Sequence, residues 1–114
     1  MGFRQAYKEQ IEYQRKVEGV MFKENLPIDN PKKFQYHVTA LQEEIGEVLK
    51  VDKRWKTHRN NTYDKQEKLN EIADVFITAM NMSIWSGFDH KELMTAIESK
   101  IKTNNIRINS EASN

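Results

Sequence analysis

Residues 64–86 carry apolar side chains on nearly every side of a predicted helix, which limits the possible folds more than any other feature of the chain. The apolar positions cover one face and both flanks: Leu69, Ile72, Ala73, Val75, Phe76, Ile77, Ala79, Met80, Met82 and Ile84. A narrow polar stripe remains at Glu71, Asp74, Thr78 and Asn81. Because a helix that is apolar nearly all round is buried in a fold, this stripe is either a thin solvent-facing edge or the lining of an internal site.

The rest of the chain is also typical of helices. Alternating β-branched residues are missing, and both prolines fall within the loop 26–31, so we expect long uninterrupted helices. Their predicted limits are residues 3–24, 31–56, 64–86 and 89 to about 107. Asn30 suits an N-cap, Gly87 suits a left-handed stop, and Asp89 with Glu92 has the spacing of a capping box.

Length and composition bound the class of protein. The 114 residues suffice for one domain, so we predict an all-α, four-helix bundle-like domain over 1–108 and a frayed tail over 109–114. Cysteine is absent, which excludes disulfides, thiolate catalysis and cysteine-based zinc sites. No segment reaches about 18 clean apolar residues, and the N-terminus lacks the apolar core of a signal peptide. We therefore expect a cytoplasmic protein with no membrane partner, and the net charge of +1 argues against a dedicated nucleic-acid partner.

Four carboxylates stand in two matched pairs. Glu44 and Glu47 follow the edge of the apolar stripe of the second predicted helix, and Glu71 and Asp74 begin the polar stripe of the third. Side chains at i and i+3 project to the same side of a helix, so two adjacent helices would bring all four into one cavity. A single carboxylate would reach solvent or pair with a lysine, but four cannot stay ionised together without divalent cations. Oxygen ligands of this kind suit Mg²⁺ or Mn²⁺.

A di-iron bundle also gathers carboxylates between helices, but it requires the spacing Glu-x-x-His. No glutamate stands three residues before any of the three histidines of this chain. The di-iron interpretation is therefore excluded, and we expect His37, His58 and His90 to be ordinary surface or loop residues.

Basic residues collect in two places. Lys100, Asn104 and Arg107 (the C-terminal trio) share one side of the last predicted helix and continue its core-facing strip. They are either cations favoured at a helix C-terminus or a phosphate clamp opposite the acidic cavity. Near the end of the second helix, Trp55 follows Lys53 closely and is either a core residue or a platform for a base.

Two segments together resemble a known family. Glu43–Glu47 (EEIGE) and, 23 residues later, Glu71–Asp74 (EIAD) resemble the EExxE…ExxD signature of the all-α nucleoside triphosphate pyrophosphohydrolases. That group includes MazG-like enzymes, dimeric dUTPases and deoxycytidine triphosphatases. Asn81 matches an asparagine of the MazG-type helix, and the C-terminal trio resembles the closing segment of the deoxycytidine triphosphatases. Over residues 34–107 the chain is similar to a single-domain MazG subtype such as the integron-cassette forms.

The resemblance implies that Glu44, Glu47, Glu71 and Asp74 hold two or more Mg²⁺ ions, which Mn²⁺ could replace. It also implies hydrolysis of (deoxy)nucleoside triphosphates between the α- and β-phosphates, giving a monophosphate and pyrophosphate in the house-cleaning of the nucleotide pool. Glu47, together with Glu44, is expected to be catalytic, since a carboxylate not fully committed to metal accepts the proton of the attacking water.

The expected substrate-binding residues are Lys53, Trp55, Asn81 and the C-terminal trio. Lys100 and Arg107 would neutralise the leaving pyrophosphate, Trp55 would stack on the base, and Asn81 would hydrogen-bond the sugar or the base. Thr78 stands where the deoxycytidine triphosphatase branch has an aromatic residue. The identity of the preferred base is therefore left open, and dCTP is one candidate substrate.

The apolar surface of the segment 64–86 exceeds what one small bundle can cover, which predicts at least a homodimer. The resemblance makes a tetramer, formed as a dimer of dimers, the alternative assembly. Two other functions stay open at this stage. The basic segment 50–59 would suit a nucleic-acid-binding module, and a purely helical dimer would suit a regulatory role such as that of a toxin partner.

Overall fold

The computed structural model describes residues 1–19, 25–56 and 62–112. Within these ranges the chain forms four helices and no strand: α1 (Phe3–Glu18), α2 (Pro31–Val51), α3 (Lys65–Ile84) and α4 (His90–Ala112). The prediction of an all-α protein is confirmed. None of the described helices is both long enough and apolar enough to cross a membrane.

All four helix ends differ from the limits predicted from the sequence; α3 ends at Ile84, two residues before the predicted limit. α1 ends at Glu18, because Gly19 adopts a left-handed φ of 79°; the predicted extension over 20–24 lies outside the described residues. α2 ends at Val51 rather than at residue 56, because the following Asp52 is extended, with φ −116° and ψ 101°. α4 continues to Ala112, so it includes most of the segment predicted to be a frayed tail.

The predicted caps at the starts of α2 and α4 are confirmed by their hydrogen bonds. The Asn30 side chain accepts from the backbone N–H of Lys33 at 3.1 Å. At the start of α4, the Asp89 carboxylate accepts from the N–H of Glu92 at 2.8 Å, and the Glu92 carboxylate accepts from the N–H of Asp89 at 3.2 Å. Each bond satisfies a backbone donor that the first turn of a helix leaves unpaired.

The buried apolar core is small and lies where the end of α3 meets α1 and the loop 25–30. Its buried members among the described residues are Tyr7, Leu26, Ile84 and Trp85. The loop is fastened to the end of α3, because the N–H of Ile28 donates to the carbonyl of Ile84 at 3.1 Å and the N–H of Asn30 donates to that of Trp85 at 2.8 Å. This attachment sets the first turn of α2 beside the last turn of α3, and the two helices then pack antiparallel along their length.

The remaining helices do not close a compact bundle around this pair. α1 packs against α3 and α4. The strip of α4 predicted to face the core is Leu93, Ile97 and Ile101; Leu93 packs against the core, whereas Ile97 and Ile101 are exposed. The radius of gyration is 17.7 Å, whereas a compact domain of this length has about 13 Å. The prediction of a compact four-helix bundle is therefore wrong for the single chain, because the described residues 101–111 of α4 are all exposed.

The second half of the polar stripe of α3 is buried, and two large apolar residues on the opposite face are exposed. Thr78 and Asn81 are buried, whereas Leu69 and Phe76 on the opposite face are 57% and 69% exposed. Thr78 and Asn81 therefore line the interior, as one of the two interpretations of the sequence predicts, whereas Asp74 is exposed. The expectation that the whole helix is buried is wrong for the outer face, because α2 and α1 cover only one side of it.

Candidate metal centre and adjoining cavity

Three of the four predicted metal ligands meet between α2 and α3. Glu44 projects from α2, and Glu71 and Asp74 project from one side of α3, being three residues apart. One carboxylate oxygen from each residue lies within 4.8 Å of those of the other two. The antiparallel packing of α2 on α3 thus brings the two sequence motifs together.

The three carboxylates repel one another. The pKa of Glu44 is raised above its usual value, first by partial burial and then by the negative charges of Asp74 and Glu71. A divalent cation would relieve this repulsion, and a set of hard carboxylate oxygens is the ligand type that Mg²⁺ takes. Asp74 is exposed, so the cluster is open on one side to water and to a phosphate group.

Glu47, the fourth predicted ligand, lies one turn beyond Glu44 and is not one of the three clustered residues. Its exposed carboxylate faces Lys50, whose Nζ lies 3.2 Å from Oε1. Its charge also contributes to the raised pKa of Glu44. The role of Glu47 as a ligand and as a catalytic carboxylate stays a prediction.

A cavity of about 660 Å³ adjoins the carboxylate cluster and shares Glu44 with it. It lies between α1, α2 and α3, and Thr78 and Asn81 line it one and two turns beyond Asp74. Its volume is in the range of small-molecule sites. The predicted substrate-binding residue Asn81 is therefore at the site, beside the predicted metal ligands.

Two glutamines of α1 also line this cavity. The Gln10 side-chain nitrogen donates to the Asn81 side-chain oxygen at 2.8 Å. The Gln14 side-chain oxygen accepts from the indole N–H of Trp85 at 2.9 Å. Gln14 and Asn81 are 4% and 7% exposed, so the polar wall of the cavity is built from buried amides held by hydrogen bonds.

His37 is buried and lines the same cavity, which overturns the expectation of an ordinary surface or loop residue. Its pKa is lowered below the usual value, first by burial and then by the positive charge of Lys33, with Glu18 acting in the opposite direction. Lys33 and Glu18 form an ion pair of 2.7 Å at the same cavity. The lowered pKa favours the neutral form of His37.

The structure places Trp55 and Lys53 beyond the end of α2, outside the lining of the cavity. Trp55 is 57% exposed, so the core interpretation of this residue is wrong. Its indole N–H donates to the carbonyl of Leu49 at 3.3 Å, and the Nζ of Lys56 lies 5.0 Å from its ring centroid. A role of this tryptophan in stacking on a base stays a prediction.

The C-terminal trio is exposed along α4. The Arg107 guanidinium donates to the Asn104 side-chain oxygen at 3.4 Å. None of the three residues lines the cavity or belongs to the carboxylate cluster of its own chain. The prediction of a core-facing basic strip is therefore wrong for the single chain.

Only part of the basic segment 50–59 falls within the described residues, since 57–59 lie outside them. Within the described part, Asp52 accepts from Arg54 at 2.8 Å and from Lys68 at 2.7 Å. These hydrogen bonds hold the pKa of Asp52 well below its usual range. The positive charge of this segment is thus partly compensated locally.

The sequence interpretation missed the contribution of α1 to the site. The signal that could have found it is spacing, because Gln10 and Gln14 follow the buried Tyr7 at i+3 and i+7 and so share its face. An amide on the inner face of an amphipathic helix needs a polar partner.

Comparison with family models, with curated proteins and with solved structures finds no match for this chain.

Proposed function

We propose that this chain is a Mg²⁺-dependent nucleoside triphosphate pyrophosphohydrolase with the all-α fold of MazG-like enzymes. The proposal is carried by the meeting of Glu44, Glu71 and Asp74 within 4.8 Å of one another, at the edge of a cavity of about 660 Å³. The substrates are (deoxy)nucleoside triphosphates and the products a monophosphate and pyrophosphate, in the house-cleaning of the nucleotide pool.

The residues of the site have separate tasks. Glu44, Glu71 and Asp74, with Glu47 as a fourth ligand, would hold Mg²⁺, which when bound neutralises the triphosphate and acidifies a water. The exposed carboxylate of Glu47 accepts the proton of the water that attacks the α-phosphorus. The buried wall that includes Asn81 holds the nucleoside and keeps the α-phosphate next to the carboxylates.

The proposal includes an assembly of at least two copies, either a homodimer or a dimer of dimers. Its support is the exposed apolar face around Leu69 and Phe76 and the extended shape of the single chain, with a radius of gyration of 17.7 Å. Contiguous exposed apolar surface of this kind marks an interaction site. Because the C-terminal trio is exposed and lies outside the carboxylate cluster of its own chain, its role as the clamp for pyrophosphate requires the trio of a second copy.

The first experiment is to incubate the purified protein with a panel of ribo- and deoxynucleoside triphosphates, with and without Mg²⁺, and to identify the products. We expect a monophosphate and pyrophosphate, formed only with the metal. Diphosphate and orthophosphate would contradict attack at the α-phosphorus. No turnover, together with no thermal stabilisation by Mg²⁺, would refute the metal site and turn attention to salt-dependent nucleic-acid binding.

The shared site is tested by mixing two inactive variants. Glu44→Gln lacks a metal ligand in its own chain, and Arg107→Ala lacks the clamp that it lends to the other copy. After subunits exchange, mixed dimers have one intact site, so about a quarter of the wild-type activity returns. If the mixture stays inactive although mixed dimers form, Arg107 does not act across the interface.

A further inference from the structure

Three carboxamides converge in the cavity beside the carboxylate cluster. Gln10 and Gln14 lie one turn apart on α1, and Asn81 faces them from α3. Gln14 and Asn81 are more than nine-tenths buried. Among the described residues, the buried side-chain polar atom without a hydrogen bond is Nε of Arg15. The amide groups that these three residues leave unused therefore reach the open cavity, where a polar ligand or water can bond to them.

The pair of Gln10 and Asn81 offers one donor and one acceptor side by side. Their mutual hydrogen bond of 2.8 Å uses one N–H and one oxygen. One amide nitrogen and one amide oxygen of the pair then take no part in this bond. The same holds if the oxygen and nitrogen are exchanged in both amides. The pair therefore matches the neighbouring donor and acceptor that every nucleobase carries on its pairing edge.

Gln14 adds a group whose identity is fixed. An indole N–H is only a donor, so the atom of Gln14 that Trp85 contacts at 2.9 Å must be the oxygen. The amide nitrogen of Gln14 has no acceptor among the described residues. The third group on the wall is thus a hydrogen-bond donor, however the oxygen and nitrogen of the other two amides are assigned.

The third position of the pairing edge separates the two classes of base. Cytosine, uracil and thymine carry the O2 acceptor there, guanine carries an amino donor, and adenine carries a C–H. A donor on the protein pairs with O2, opposes the amino group of guanine and gains nothing from adenine. Tyr13 and Tyr36 also line the cavity with exposed rings, which suits contact with the face of a base.

We propose that this cavity binds a pyrimidine base, with Gln14 donating to O2 and the pair of Gln10 and Asn81 holding the rest of the pairing edge. The inference rests on the proposed function in taking a nucleotide as the ligand. It adds the substrate class, pyrimidine over purine, and assigns specificity to two residues of α1 that lie outside the carboxylate motifs.

The test measures binding and turnover separately. Isothermal titration with dCMP, dTMP, dAMP and dGMP in the presence of EDTA measures the affinity of the pocket alone, because EDTA removes the metal and monophosphates are not hydrolysed. We expect the two pyrimidine nucleotides to bind at least about tenfold more tightly than the purine nucleotides. The kcat/KM values for the four corresponding triphosphates with Mg²⁺ should follow the same order.

Two variants of Gln14 test the role of its amide nitrogen as a hydrogen-bond donor. Gln14→Glu keeps an oxygen for Trp85 and replaces the donor by a second oxygen. Because its charge also repels the phosphate of every nucleotide, we expect it at pH 8 to weaken the binding of dCMP and dTMP at least about tenfold more than that of dAMP. Gln14→Leu removes the donor without adding charge and should reduce the pyrimidine preference in the same way. Gln5→Glu makes the same chemical change at an exposed position of α1 and should leave all four affinities unchanged.

The outcomes separate the two proposals. Equal or tighter binding of the purine nucleotides, or an equal loss for all four nucleotides in both Gln14 variants, would overturn the pyrimidine pocket even if triphosphates are hydrolysed. Selective pyrimidine binding without any turnover would support the pocket and refute the hydrolase.

Discussion

The inner side of α3 carries buried polar residues and its outer side carries exposed apolar residues, which is the reverse of an ordinary surface helix. On the inner side, Thr78 and Asn81 are buried and Glu71 meets the carboxylates of the cluster. On the outer side, Leu69 and Phe76 are more than half exposed. Surface helices of globular proteins normally turn the apolar stripe inward and the polar face to water.

This inversion assigns a different purpose to each side. Burying polar groups is costly unless they are hydrogen-bonded or use their charge on a ligand, so the inner side has the properties of a site. Exposing a row of large apolar groups is unfavourable unless a partner covers them, so the outer side has the properties of an interface. The two sides of one helix would thus link the proposed site to the proposed assembly.

Removing a carboxylate from the inner side should have the largest effect. Glu71→Gln keeps the size of the side chain but deprives the cluster of one charge, so we expect kcat/KM to fall by roughly 10³-fold with the fold intact. The matched control is Glu67→Gln, one turn earlier on α3 and exposed, which should retain nearly full activity. Similar activity in both variants, measured as pyrophosphate release, would contradict a metal site on this side.

A charge on the outer side should disrupt assembly before it affects the fold. Phe76→Asp removes a 69% exposed ring, and a symmetric dimer would lose the contact twice, so we expect the dissociation constant to rise at least about 100-fold. Sedimentation velocity measures it, with circular dichroism to verify helix content. Gln5→Asp adds the same charge on an exposed part of α1 and should not change the assembly. A wild-type chain that stays monomeric at all concentrations would refute the interface.

The sequence was sufficient for features that depend on local spacing. The meeting of Glu44 with Glu71 and Asp74 and the caps of α2 and α4 follow from local spacing, because residues three and four apart share a helix face wherever the helix lies; the place of Glu47 beside them stays a prediction. The sequence could not decide which side of α3 faces inward, since both the polar stripe and the face of Phe76 were compatible with burial. That choice depends on the loop 25–30 docking on the end of α3, which no local pattern encodes.

The errors at α1 and α4 have the same origin. The amides of Gln10 and Gln14 acquire meaning only when α1 lies across α3, a long-range contact. The strip of α4 with Ile97 and Ile101 was predicted to face the core because its periodicity is that of a buried face. Periodicity shows that a face needs a cover, but it does not show whether the cover comes from the same chain.

Acidification should destabilise the fold through His37 of α2, which lines the cavity that the inner side of α3 faces. Burial and Lys33 lower its pKa in the folded state, so the unfolded chain takes up a proton first. Its contribution to stability is therefore complete above the ordinary histidine pKa of about 6.5 and is lost as the pH falls below that value. The melting temperature of the wild type should drop more steeply below pH 6.5 than that of His37→Gln. Parallel curves for the two proteins would show that this histidine is not held neutral.

The smallest effect should come from a hydroxyl on the inner side. The Thr78 hydroxyl donates to the carbonyl of Asp74 at 2.8 Å, and the exposed Thr103 hydroxyl on α4 donates to that of Ser99 at 3.0 Å. Replacing either threonine by valine removes the same i to i−4 hydrogen bond, but Thr78 is buried whereas Thr103 is exposed to water. We expect Thr78→Val to cost about 0.5–1 kcal/mol of unfolding free energy in urea titrations and Thr103→Val to be neutral within about 0.5 kcal/mol. Equal costs would mean that water reaches the inner side of α3 as freely as the surface, and the contrast between its two sides would then be one of residue type alone.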